Sequence, residues 1–108
     1  TQNFTTATNA YNTAVGHFAG GSVTTGIHNT FIGGLSGDAT TTGGNNTAVG
    51  YNSLTANTTA SFNCAIGMES LRENTTGTNN TSVGGYQTLI VNTTGSNNTA
   101  VGRTALSL

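Results

Sequence analysis

One pentapeptide returns six times along this chain, and that recurrence constrains the fold more than any other feature. Asn12-Thr13-Ala14-Val15-Gly16 reappears as Asn29-Thr30-Phe31-Ile32-Gly33, Asn46-Thr47-Ala48-Val49-Gly50, Asn63-Cys64-Ala65-Ile66-Gly67, Asn80-Thr81-Ser82-Val83-Gly84 and Asn98-Thr99-Ala100-Val101-Gly102. The successive spacings are 17, 17, 17, 17 and 18 residues. A fixed period of this length marks a stacked-repeat architecture, in which each unit covers its surface with the next. Between pentapeptides each unit passes through a small residue and a Leu or Gly, then closes on a segment such as Asn74-Thr75-Thr76-Gly77 or Asn92-Thr93-Thr94-Gly95. The extra residue of the fifth unit is Gly85, directly after Gly84. An insertion is cheapest at a corner, where no ladder hydrogen bond is lost.

The units are poor helices. The chain holds 16 Gly, 24 Thr and 15 Asn in 108 residues, and all three types are weak helix formers. Short strands fit better. Along Asn46-Thr47-Ala48-Val49 the side chains alternate, placing Thr47 and Val49 on one face and Asn46 and Ala48 on the other. The glycines Gly16, Gly33, Gly50, Gly67, Gly84 and Gly102 then allow a positive-φ corner. A second corner falls at Gly26, Gly43, Gly77 and Gly95, with Asn9 in the same slot before the first unit. Ala60 takes that slot in one unit and is expected to be strained or differently turned. Two short strands per 17 residues describe one coil, so the expected fold is all-β. It is a parallel β-solenoid (a β-roll or β-helix) of about six coils starting near residues 12, 29, 46, 63, 80 and 98. Residues 1–108 read as one such segment, uncapped at either end and expected to belong to a longer fibre.

Stacking turns the repeat columns into ladders. Val15, Ile32, Val49, Ile66, Val83 and Val101 are the large aliphatics, and hydrophobicity alone places them inside, joined by Leu54, Leu71, Leu89 and Leu106. Thr13, Thr30, Thr47, Cys64, Thr81 and Thr99 share their face. In that column Cys64 reads as a packed substitute for Thr rather than a reactive or linking thiol. Asn12, Asn29, Asn46, Asn63, Asn80 and Asn98 form a polar ladder able to bond amide to amide between coils. One or two large aliphatics per coil, at roughly 2 kcal/mol each, offset only part of the ordering entropy of 17 backbones. Further burial is therefore expected from neighbouring copies. The small column Ala14, Ala48, Ala65, Ser82 and Ala100 suits close approach, with Phe31 placed where the contact opens. A homo-oligomer follows as an expectation, a trimer above all.

The motif Asn-Thr-Ala-Val-Gly, followed by Ala/Ser-Leu and Asn-Thr-Thr-Gly, resembles the repeats of phage tail-fibre-type proteins from about Asn12 to Leu106. Its strand-plus-glycine half, as in Cys64-Ala65-Ile66-Gly67, is similar to the Ser-Val-Ala-Ile-Gly repeats of trimeric autotransporter adhesin heads. The adhesin resemblance implies a left-handed parallel β-roll, assembled as a homotrimer, that displays an adhesive surface away from a cell. The 17-residue unit and the Asn-Thr-Thr-Gly corner depart from that family, so handedness and the number of faces per coil do not carry over.

Little catalytic chemistry is visible. The acidic residues are Asp38, Glu69 and Glu73, and the last two read as turn residues beside Arg72 rather than a glycosidase acid and base. His17 and His28 fall at different places in the coil, and one cysteine makes neither a disulfide nor a Cys-based metal site. No catalytic, cofactor or metal residue is assigned. With no Lys, two Arg and a net charge of -1, the chain lacks the basic footprint of a nucleic-acid partner. No apolar run reaches the roughly 18 residues of a spanning helix. The triplets at Asn57 and Asn74 arise from the repeat and, inside a ladder, are unsuited to carry glycans.

The expected function is non-enzymatic, and the resemblance implies a structural or adhesive segment of an extracellular fibre, on a virion or a bacterial cell surface. Its partners are copies of itself and a host-surface glycan or protein, touched by variable residues such as His17, Phe18, Tyr51, Met68 and Tyr86. One rival is ice binding by the pairs Thr24-Thr25, Thr41-Thr42, Thr58-Thr59, Thr75-Thr76 and Thr93-Thr94. Adjacent residues of a strand point to opposite faces, so only one threonine of each pair is expected outward. A polysaccharide-degrading fibre is the other rival.

Overall fold

The computed structural model describes residues 10–108. Asn9 lies outside the described residues. The described residues form one sheet of six strands: β1 Thr13–Val15, β2 Thr30–Ile32, β3 Thr47–Val49, β4 Cys64–Met68, β5 Thr81–Tyr86 and β6 Thr99–Val101. They lie in chain order, every neighbouring pair parallel. Thr13 pairs with Thr30, Thr47 with Cys64 and Val83 with Val101, so residues one repeat apart stand above one another. The molecule is a parallel β-solenoid of about five turns, without a helix among the described residues.

Each coil contains one strand, not two. The rest of its path is a chain of turns with recurring left-handed residues that are not glycine. In the third coil these are Asn52 (φ 55°), Leu54 (φ 54°) and Phe62 (φ 62°), and their counterparts one repeat on are Glu69, Leu71 and Asn79. Gly50, Tyr51, Asn52 and Ser53 form a four-residue turn closed by Ser53 N–H on the Gly50 carbonyl, with its third residue, Asn52, left-handed. That conformation costs roughly 1–2 kcal/mol per non-glycine residue. Bonds to the neighbouring coils offset the cost. Leu54 N–H donates to the Ser70 carbonyl at 3.0 Å, and Glu69 N–H donates to Tyr51 at 2.9 Å.

The strand faces are the reverse of the hydrophobic expectation. Phe31, Ala48, Ala65, Ser82 and Ala100 point inward and are buried, packed with Leu54, Leu71 and Leu89. The Val/Ile ladder forms in register but faces out: Val15 is 59% exposed, Ile32 and Ile66 39%, and Val101 70%. The reason is the width of the coil. Ser36 Oγ donates across the interior to the Ala48 carbonyl at 2.9 Å, and Ser82 Oγ reaches the Thr88 carbonyl at 2.9 Å. Two walls bridged by one serine side chain leave room on the strand for Ala or Ser, but not for Val. The small-residue column is therefore core rather than a contact between copies.

Phe31 is accommodated by subtraction. Gly20 and Gly37 occupy the column filled by Leu54, Leu71 and Leu89 in other coils. A Cβ on Gly20 would stand 2.8 Å from the Phe31 ring, and one on Gly37 would run into it. Phe31 is 1% exposed and fills the space of two missing leucines, instead of marking an opened contact.

The corner glycines divide into two kinds. Gly16, Gly33, Gly50, Gly67 and Gly102 adopt φ between 117° and 135°, as expected of a positive-φ corner. Gly84 does not. Its coil carries the extra Gly85, and pairing slips from Ile66↔Val83 to Met68↔Tyr86 across a β-bulge inside β5. At the second corner Gly26, Gly43 and Gly77 keep ordinary φ. What they provide is room, because a Cβ there would strike the carbonyl oxygen of Gly43, Ala60 or Gly95 in the next coil. Ala60 also lacks a left-handed φ, and its carbonyl receives Asn46 Nδ2 at 2.9 Å; in its coil the bond to the next coil that Thr24, Thr41 and Thr75 make has no counterpart at Thr58 among the described residues.

Candidate functional site

The asparagine ladder is the polar scaffold that sets the height of each coil. Oδ1 of Asn12, Asn29, Asn46, Asn63 and Asn80 accepts the backbone N–H of the next Asn in the column at 2.7–3.0 Å. Nδ2 of the same five residues donates to the carbonyl of Gly26, Gly43, Ala60, Gly77 or Gly95 at 2.8–2.9 Å. Each amide thus clasps the backbone on both sides of the following corner. The amide-to-amide bonding expected of this column occurs at its last rung, Asn98 Nδ2 to Asn80 Oδ1 at 3.0 Å.

An amide-to-amide ladder runs instead through a second column. Asn74 Nδ2 donates to Asn57 Oδ1 at 3.2 Å, and Asn92 Nδ2 to Asn74 Oδ1 at 2.8 Å. Each also binds the carbonyl three residues on. Asn57 and Asn74 are wholly buried, which withdraws the acceptor amide of both glycosylation triplets from solvent. The recurrence of Asn57, Asn74 and Asn92 at the repeat spacing was the available sequence signal, and Val23 and Thr40 in the earlier coils diluted it.

The chemical groups that remain outside are few. Glu69 and Glu73 share Arg72, at 3.3 Å and 2.7 Å, and Gln87 Nε2 donates to Glu69 Oε2 at 2.7 Å. The hydrogen bond it donates to Glu73, reinforced by both carboxylates' charges, holds the Arg72 guanidinium more firmly in its charged form. His28 stacks on Tyr11 at 5.5 Å, and His17 meets Phe18 edge-on at 4.6 Å. No group of three His, Cys, Asp or Glu able to hold a metal occurs among the described residues. Asp38 is half-buried, and desolvation pushes its carboxyl above the usual range against the opposing pull of its own and Ala39's backbone N–H. Its Oδ1 is buried without a hydrogen-bond partner among the described residues.

The paired threonines lie in a turn rather than a strand, so the expected alternation fails and both face solvent to some degree. Thr25, Thr42, Thr59, Thr76 and Thr94 are exposed throughout. The first hydroxyl of a pair is engaged with the next coil: Thr24, Thr41 and Thr75 donate to the carbonyls of Thr41, Thr58 and Thr93 at 3.2, 3.2 and 2.9 Å.

The sheet also presents an outward face. Its two outward columns are Thr13, Thr30, Thr47, Cys64, Thr81 and Thr99, and Val15, Ile32, Val49, Ile66, Val83 and Val101. Neither column contains a charged residue. Tyr51 (52% exposed) and Met68 (41%) extend the face past the corner glycines, and Tyr86 follows with Arg103 over its ring at 5.9 Å. Cys64 is half-buried in this face, and desolvation raises its thiol above the ordinary value.

Comparison with protein-family models, curated proteins and solved structures finds no match to this chain. The face must be interpreted from its chemistry.

Proposed function

We propose that this chain is a non-enzymatic β-solenoid segment of an extracellular fibre, a stiff spacer that assembles with copies of itself through the outward face of its sheet. The observation that carries the reading is the position of the largest aliphatics. A strand without room for an inward Val or Ile presents one on every rung outside, beside Thr or Cys64 and without charge. Solvent-facing apolar ladders of this kind mark interaction surfaces. A column repeated on every coil also lets two copies match at any shift of whole coils.

The magnitude is marginal for six rungs. Full burial of a Val or Ile is worth roughly 1.5–3 kcal/mol; with about half already covered, each rung adds about 1, or about 6 kcal/mol per copy. Association costs roughly 4–15 kcal/mol. Assembly through this face is thus expected to strengthen steeply with the number of coils, as suits a fibre. Three copies around one axis is the arrangement implied by the resemblance to adhesin heads. The extracellular location and a host-surface glycan or protein as ligand rest on the same resemblance, with Phe18 and Tyr51 as exposed contact residues.

Sedimentation velocity tests the reading on the 108-residue chain and on a tandem duplicate. Expected are concentration-dependent oligomers that tighten on duplication and are lost in Val49→Asp/Ile66→Asp, with the circular dichroism of the coil retained. A duplicate that stays monomeric at high concentration would overturn it.

Ice binding is the second reading, favoured by an uncharged six-rung face whose Thr and Val/Ile columns repeat at the strand spacing of about 4.8 Å. It requires that face to be free in solution. Thermal hysteresis from a monomeric sample would favour it over self-assembly, and its absence at micromolar protein would remove it.

A further inference from the structure

We draw no further inference here: the strongest candidate, the surface patch of Met68, Glu69, Tyr86, Gln87 and Arg103 beside the Gly85 bulge, has its polar groups engaged with one another, and nothing in the structure shows what covers it.

Discussion

Phe31 and Gly37 offer the sharpest test of the inverted interior. Truncating the buried ring in Phe31→Ala removes a side chain packed against two glycines, and a loss of about 3–5 kcal/mol is expected. Gly37→Leu inserts a side chain into the ring, at about 1–3 kcal/mol for overpacking. The left-handed φ of 57° at Gly37 adds roughly 1 kcal/mol more. Leucine tolerates nearly this conformation at Leu54 and Leu71, where φ is 54° and 50°. The double variant recreates the Ala48–Leu54 arrangement of the next coil, leaving only the hollow beside Gly20 unfilled. Were the sites independent, the two losses would sum to about 5–9 kcal/mol. Restored packing is expected to recover about 2–3 of these, as for other touching residues.

Urea denaturation followed by circular dichroism reads the coupling. With m of about 1–3 kcal/mol/M, it shifts the midpoint by on the order of 1 M from the additive value. All variants must be compared at one protein concentration, because self-association would stabilise the folded state by mass action. If Phe31→Ala leaves too little folded protein, Phe31→Leu with Gly37→Ala gives a milder cycle of the same sign. Additive losses would mean that residues 31 and 37 do not face one another across a narrow coil, and the account of the interior would fail.

Further outcomes are expected at Asn46, Cys64 and Asp38. Asn46→Ala strands the buried N–H of Asn63 and removes a donor to Ala60, so thermal or urea unfolding should show a loss of about 2–4 kcal/mol. Cys64→Thr restores the column and should change stability by less than about 0.5 kcal/mol. In the native protein the same thiol, raised by burial, should react slowly with a disulfide reagent at neutral pH and faster as the pH rises. Asp38 has a raised folded-state pKa, so its contribution is greatest below the ordinary carboxyl value and falls as pH rises through the raised one. Unfolding midpoints should therefore drop slightly between acid and neutral pH, and Asp38→Thr should flatten that slope.

Register and topology were legible because they need only the period. Columns 17 residues apart pair strand by strand from Thr13↔Thr30 onward, and the Gly85 insertion appears as a local bulge that leaves the next strand in line. Which face turned inward was not legible from alternation, which is symmetric, and hydrophobic ranking chose wrongly. A deciding signal lay in size compensation. The single large residue of the small column, Phe31, coincides with Gly in place of Leu at Gly20 and Gly37. That exchange is needed only if the two columns share a confined space. The turn path was less legible still. Left-handed φ at Leu54, Leu71 and Leu89 runs against local preference, and is held by the stacking of neighbouring coils.

The narrow interior links the sequence bias to the proposed role. A coil closed by single serine bridges has little apolar volume, so its stability must come from polar groups satisfied between coils. This explains why asparagine clasps the second corner of successive coils and a further asparagine column, Asn57, Asn74 and Asn92, links the later ones. Such bonding is local to each pair of coils and can be extended without limit, whereas a conventional core is finite. It also displaces the β-branched residues that favour strands to the outer face, where the same repetition arrays them as a continuous uncharged stripe. On the proposed reading, the constraint that makes the coil thin also leaves a surface suited to assembly with its own kind, and a longer stack would strengthen both properties together.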